Sequence, residues 1–156
     1  MGDEIAQGRE WDASSSIEWQ LLEYGCHRGM LTLVSDLNRL YRENPELHRF
    51  DFSEEGFEWI DCNASDASVL SFLRKDGDSY IVVVLNFTPV PYHDYCVGVP
   101  AEGNYTELLN SDSSYYDGTD VGNKGRIVST PESCNGRPHS LHLTLPPLGG
   151  VLLRLE

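Results

Sequence analysis

Most glycoside chemistry runs on two carboxylates, one on either side of the sugar bond. This chain offers such a pair at its start, Asp3 and Glu4. Read as the end of a strand, however, the pair points to opposite faces. One carboxylate then turns inward, the other meets solvent, and the two do not address one substrate. Asp112, Asp117 and Asp120 lie in a Gly-rich loop, but the calcium-loop pattern, with its closing Glu, fits in no register. Asx turns are the expected use of these residues. The histidines, His27, His48, His93, His139 and His142, form no metal-ligand spacing, and on a strand His139 and His142 fall on opposite faces. Ser14–Ser16 have no histidine nearby to activate them. Neither a phosphate-binding loop nor a nucleophile elbow occurs. Trp11 and Trp19 can stack on the C–H face of a sugar ring, whereas Trp59, within FEWID, is expected in a core.

The bulk properties narrow the field. Eleven Lys and Arg stand against 25 Asp and Glu, for a net charge of −14. Nucleic-acid binding needs the opposite balance, because it is driven by cations that release counterions. No apolar run approaches the roughly 18 residues that span a bilayer, and the first residues do not read as a signal peptide. Neither nucleic acid nor membrane is an expected partner, and a cytoplasmic location is expected. Cys26, Cys62, Cys96 and Cys134 contain no C-x-x-C pair and are expected as free thiols. The sequons at Asn63, Asn86 and Asn104 read as accidental, with Asn86 inside a strand pattern.

A small set of elements must position these residues. Met1–Tyr24 reads as a strand end, a polar loop and a short segment SIEWQLL, capped by Asp12 or a following serine. Met30, Leu33, Val34, Leu37, Leu40 and Tyr41 form one apolar helical stripe. That helix is expected over Met30–Glu43, with His27-Arg28-Gly29 as its entry turn and Asn44-Pro45 as its stop. From Phe57 onward the pattern is all-β. Strands are expected at Phe57–Asp61, Val69–Arg74, Tyr80–Phe87, Tyr92–Val99, Tyr105–Leu109, Arg126–Ser129, Leu141–Leu145 and Val151–Leu155. Tyr80–Phe87 is apolar on both faces and so reads as a central, doubly covered strand. Seven or eight short strands with regular turns suggest a sandwich. One helix and a strand end cannot bury their own apolar faces, so residues 1–48 read as the edge of something larger than themselves.

Several segments occur in one order: MGDEIAQGREW, LVSDLNRLYRENPELH, GFEWID, SVLSFLRK, NFTPVP, NYTELLNSDS and SLHLTLPPLGG. Together they resemble the C-terminal end of bacterial 1,4-α-glucan (glycogen) branching enzymes, of the α-amylase-type glycoside hydrolase family. The resemblance covers essentially the whole chain. It implies a mainly β fold: a C-terminal antiparallel β-sandwich, residues 49–156, preceded by the last strand end, loop and helix of a truncated (β/α)8 barrel, residues 1–48. Met1 coincides with a methionine inside the family's eighth barrel strand, which implies a portion of a longer protein.

The family activity so implied is transfer of α-1,4-glucan segments to a 6-hydroxyl. An Asp nucleophile, a Glu acid/base and a second Asp do this work without cofactor or metal. Those residues sit on earlier barrel strands, so no residue of this chain is assigned a catalytic role and the chain alone is expected to be inactive. Its implied partners are α-glucan (glycogen, amylose) and the missing barrel domain. Loops after barrel strands border substrate, and the resemblance therefore places Glu4, Arg9 and Trp11 at a glucan cleft. Asp3 and Ile5 depart from the family's usual residues there. The alternatives are a non-catalytic β-sandwich module that binds glucan or docks a partner, and a related amylase-type hydrolase or debranching enzyme.

Overall fold

The computed structural model describes residues 1–64 and 66–156. Among these residues, eight antiparallel strands follow one α-helix, α1 (Gly25–Glu43). They are β1 (Phe57–Asp61), β2 (Val69–Asp76), β3 (Ser79–Asn86), β4 (Tyr92–Val99), β5 (Asn104–Asn110), β6 (Arg126–Val128), β7 (His139–Leu145) and β8 (Gly149–Leu155). A six-stranded sheet runs β1-β2-β3-β8-β5-β6, and β4 and β7 pair as a second sheet.

Period-two alternation builds the interior between the sheets. Val82 and Val84 of β3, Val97 and Val99 of β4, Leu141, Leu143 and Leu145 of β7, and Val151 and Leu153 of β8 meet there. The opposite face of β3 carries Ile81 and Val83, which join Leu109, Leu152 and, from α1, Leu33 and Leu40. The doubly apolar strand is thus central and covered on both sides, as its sequence requires. Asp76 pairs with Ser79, and Gly77, at φ 61°, supplies the positive φ of the two-residue turn between them. Asn86 is buried. Its amide donates to the Val90 and Pro146 carbonyls at 2.9 and 2.8 Å, which fixes the NFTPVP corner and leaves its side chain no room for a glycan. The sequon at Asn63 includes Ser65, which lies outside the described residues.

The first 48 residues differ from the sequence reading in three places. Asp3–Ile5 is a 3-10 turn and not a strand end. It satisfies its own backbone, Ile5 and Gln7 donating to Gly2 O and Ala6 to Asp3 O, because no strand among the described residues offers it a partner. The segment SIEWQLL yields a 3-10 helix, Trp19–Glu23, whose N-terminus has no side-chain cap. Asp12 instead closes an Asx turn on Ser14 and Ser15. The long helix begins at Gly25, so His27, Arg28 and Gly29 are helical. Gly29 is required where α1 meets the loop after β5: an added Cβ would lie 2.0 Å from the Tyr116 carbonyl oxygen.

The helix does stop before Pro45. Asn44 donates to Leu40 O at 2.7 Å and accepts from Arg154 at 2.7 Å, stapling the helix end to β8. Even so, Gly29 is its only fully buried residue among those described. Leu37 and Tyr41 of the apolar stripe remain exposed.

Candidate functional site

The N-terminal segment carries the residues the sequence singled out. Glu4 is half-buried within the 3-10 turn, whose Ile5 is fully buried and whose Asp3 faces solvent. His27 of α1 holds that turn, its Nδ1–H donating to the Ile5 carbonyl at 2.6 Å. Arg9 donates to Ser15 Oγ at 3.2 Å and lies 3.6 Å from Asp12. Hydrogen bonds from Ser14 and Ser15 hold the Asp12 carboxyl below the usual carboxylate range. Trp11 is 70% exposed. Among the described residues, no hydrogen bond or ion pair joins Glu4, Arg9 and Trp11 to one another; they share a segment, not a network.

A second surface was not foreseen. Trp59 is 47% exposed, and this corrects the expectation of a core residue. The alternation of FEWID admits one of Trp59 and Ile60 to the sandwich interior, and Ile60 takes it. Because β1 is an edge strand, the face left to Trp59 is only partly covered. Phe57 stands at 86° to the Trp59 ring with centroids 4.8 Å apart, and Phe72, its register partner on β2, lies 5.9 Å away at 80°. The three rings form a supported aromatic step, a shape suited to stacking on an apolar sugar face.

The edge strand is held from its other face. Glu58 accepts from Lys75 at 2.8 Å and Arg137 at 2.6 Å, and both bonds keep its carboxyl below the ordinary range. Arg137 also reaches the Trp59 carbonyl at 3.3 Å. The sequence signal for this surface was the alternation itself, read together with the position of FEWID as the first strand.

Two of the clefts among the described residues lie near the helix and the loop after β5. An apolar groove of 320 Å³ runs between α1 and the sheet, lined by Leu37, Leu85, Phe87, Leu109, Leu148 and Leu152. A polar cleft of 400 Å³ lies at the loop after β5 and includes Glu107, Tyr115, Asp120 and Asn123. Burial pushes the Glu107 carboxyl up, against the hydrogen bond it accepts from Asn123. Asp112 serves as an Asx hub: its carboxylate accepts from Thr119 N, Thr119 Oγ1 and Val121 N at 3.0, 2.6 and 3.0 Å. Among the described residues no group of three or more His, Cys, Asp or Glu is placed to hold a metal ion. Among the described residues no helix is long and apolar enough to cross a membrane.

A two-sheet antiparallel sandwich with one helix laid across its larger sheet defines an all-β domain preceded by a single helix. Comparison with known proteins agrees. Residues 59–156 match the model of the alpha amylase C-terminal all-beta domain. The chain is 52% identical to the 1,4-alpha-glucan branching enzyme GlgB of Nitrosococcus oceani, covering 100% of this chain and 21% of that protein. It is 51% identical to the GlgB of Rubrobacter xylanophilus, covering 99% and 22%. Among solved structures, isomaltulose synthase from Klebsiella sp. LX3 superposes with a TM-score of 0.50 at 18% identity, over 90% of this chain and 21% of that one, a likeness of fold alone.

The chain belongs to the alpha amylase C-terminal all-beta domain family, and it corresponds to the C-terminal domain of bacterial GlgB-type 1,4-alpha-glucan branching enzymes. It spans about one fifth of the length of the curated relatives it matches.

Proposed function

We propose that this chain serves as the C-terminal domain of a cytoplasmic 1,4-α-glucan branching enzyme, seated against a (β/α)8 barrel that carries the catalytic carboxylates. In this reading residues 1–48 belong to the barrel side and residues 49–156 form the accessory domain. The observation that carries it is identity of about half the residues along the whole chain to branching enzymes. A helix whose Leu37 and Tyr41 stay exposed, beside a groove edged by exposed Phe87 and Leu148, gives a barrel an apolar surface to cover. Glu4, Arg9 and Trp11 then border the glucan cleft.

Alone, the chain does not transfer glucan. Its carboxylates are spread over separate structural tasks: Asp12 in a turn, Asp36 with Arg39 and Tyr116, Glu58 with Lys75 and Arg137. Incubation with amylose, followed by an assay for new α-1,6 linkages, should give none; robust branching by the purified chain sinks the proposal.

A second reading, a glucan-binding module, is favoured by the aromatic step at Trp59. Affinity electrophoresis through glycogen tests it. Retardation that is lost in Trp59→Ala and kept in Trp19→Ala supports a binding surface there. Mobility unaffected by glycogen removes it and leaves the docking role.

A further inference from the structure

Cys96 sits on β4 with its side chain turned away from the sandwich interior, since the alternate residues Val97 and Val99 fill that interior. The loop between β6 and β7 covers the outward face. Gly98 marks the contact: an added Cβ there would lie 2.1 Å from the Cys134 carbonyl oxygen and 3.2 Å from Arg137 Cβ. Only a residue without a side chain lets the loop backbone seat on β4. The Gly98 N–H donates to Asn135 Oδ1 at 3.0 Å. Cys134 and Arg137 close a tight turn through reciprocal backbone bonds of 3.2 and 2.9 Å, with Asn135 and Gly136 at positive φ between them. Residues 96 and 98 share a face, so a loop seated on Gly98 delivers Cys134 beside Cys96. Burial raises the Cys134 thiol, and the Cys96 side chain is close enough to push it up further. Both are half-buried, whereas Cys26 and Cys62 are exposed.

We propose that Cys96 and Cys134 are a reversible oxidation site, closed to a disulfide by low-molecular-weight disulfides and reopened by thiols. The Cys134 thiol is engaged in donating to Asn135 Oδ1 at 3.2 Å, and burial pushes it up; the first attack is therefore assigned to Cys96. Its thiolate attacks one sulfur of the small disulfide, forming a mixed disulfide and expelling one small thiolate. Cys134, giving its proton to solvent, attacks the Cys96 sulfur and expels the second small thiolate. The protein gives up two electrons and two protons, and the oxidant leaves as two thiols. The same loop holds the edge strand: Arg137 bonds Glu58 and Trp59 O, and Asn135 donates to Asp61 at 3.2 Å. Oxidation therefore clasps to β4 the loop that positions β1 and its exposed tryptophan. The site does not depend on glucan binding.

The test is thiol mapping of the purified chain. It is equilibrated with excess oxidised glutathione, alkylated, digested and analysed by mass spectrometry. The expected product is a peptide pair cross-linked through Cys96 and Cys134, lost on treatment with dithiothreitol, while Cys26 and Cys62 carry glutathione or the alkyl group. In Cys134→Ser the same treatment should leave Cys96 trapped as its mixed disulfide with glutathione. The proposal is overturned if Cys96 and Cys134 in the unaltered chain are recovered alkylated or separately glutathionylated at an oxidant excess that modifies Cys26.

Discussion

The sandwich and the block before it both carry apolar faces, one with period-two alternation and one as a helical stripe, and they end in different states. Of the buried hydrophobic residues described, only Ile5 precedes Phe57; all the others lie in the β region. The central strands bury both of their faces, one against the second sheet and one under α1. The helix has a single stripe, and the sheet covers only the part that includes Leu33 and Leu40. A sheet stacked on a sheet closes its own interior, whereas a helix across a sheet leaves a flank open. Stability is therefore concentrated in the sandwich, and available surface in the N-terminal block.

Truncating one leucine on each side gives the sharpest way to break that contrast. Leu143 is fully buried between the sheets, and Leu143→Ala should cost about 2–5 kcal/mol in urea unfolding. Leu37 is 40% exposed, and Leu37→Ala should cost under about 1 kcal/mol. Equal costs would mean that the helix stripe is as much core as the sandwich. Gly29→Ala probes the seam between the two regions. It raises helix propensity by about 1 kcal/mol, yet its Cβ overlaps the Tyr116 carbonyl. Overpacking of this kind costs about 1–3 kcal/mol. We expect a net loss of stability; a gain would show that α1 is free to shift on the loop.

The same contrast governs what the sequence made legible. Strand positions could be read because alternation and turn residues are local signals, and β4 occupies the expected Tyr92–Val99 in full. The double face of β3 even revealed its central place. The helix stop was written in Asn44-Pro45, but its start was obscured by Gly25 and Gly29, poor helix formers kept for a contact with a loop some 90 residues later in the chain. The opening turn depended on partners that local pattern cannot reveal. Trp59 was misplaced because aromatic composition suggests burial, whereas strand order in the sheet decides it. The approach of Cys134 to Cys96 is a tertiary fact with no spacing signal at all.

Charged groups sharpen the comparison through pH, with opposite signs at two places on the sheet. Burial raises Glu107, so between the unfolded and folded values the folded chain holds the extra proton. Stability then falls as pH rises through that window, and charged Glu107 is a net cost at neutral pH. Glu107→Gln keeps an acceptor for Asn123 and should raise the urea midpoint at pH 7. That gain should disappear once the pH falls below the ordinary carboxylate value of 4.5. A lowered midpoint at pH 7 would mean that the charge is compensated in the folded chain.

Glu58 should show the smallest effect and the reverse sign. Lys75 and then Arg137 depress its folded value below 4.5, so the unfolded chain holds the extra proton. Its contribution is fully present above the ordinary carboxylate value and is lost as pH falls through the lower folded one. The side chain is 42% exposed, and solvent screens both pairs; the effect is a fraction of what a buried pair would give. Glu58→Gln should lower the midpoint slightly at pH 7 and converge with the unaltered chain in acid. Raising the salt concentration should narrow the pH 7 gap, because exposed ion pairs are screened over about 10 Å at 0.1 M. A gap indifferent to both pH and salt would assign the edge strand's hold to hydrogen-bond geometry alone. The Arg137 bond to the Trp59 carbonyl, rather than the Glu58 charge, would then fix β1 against the loop.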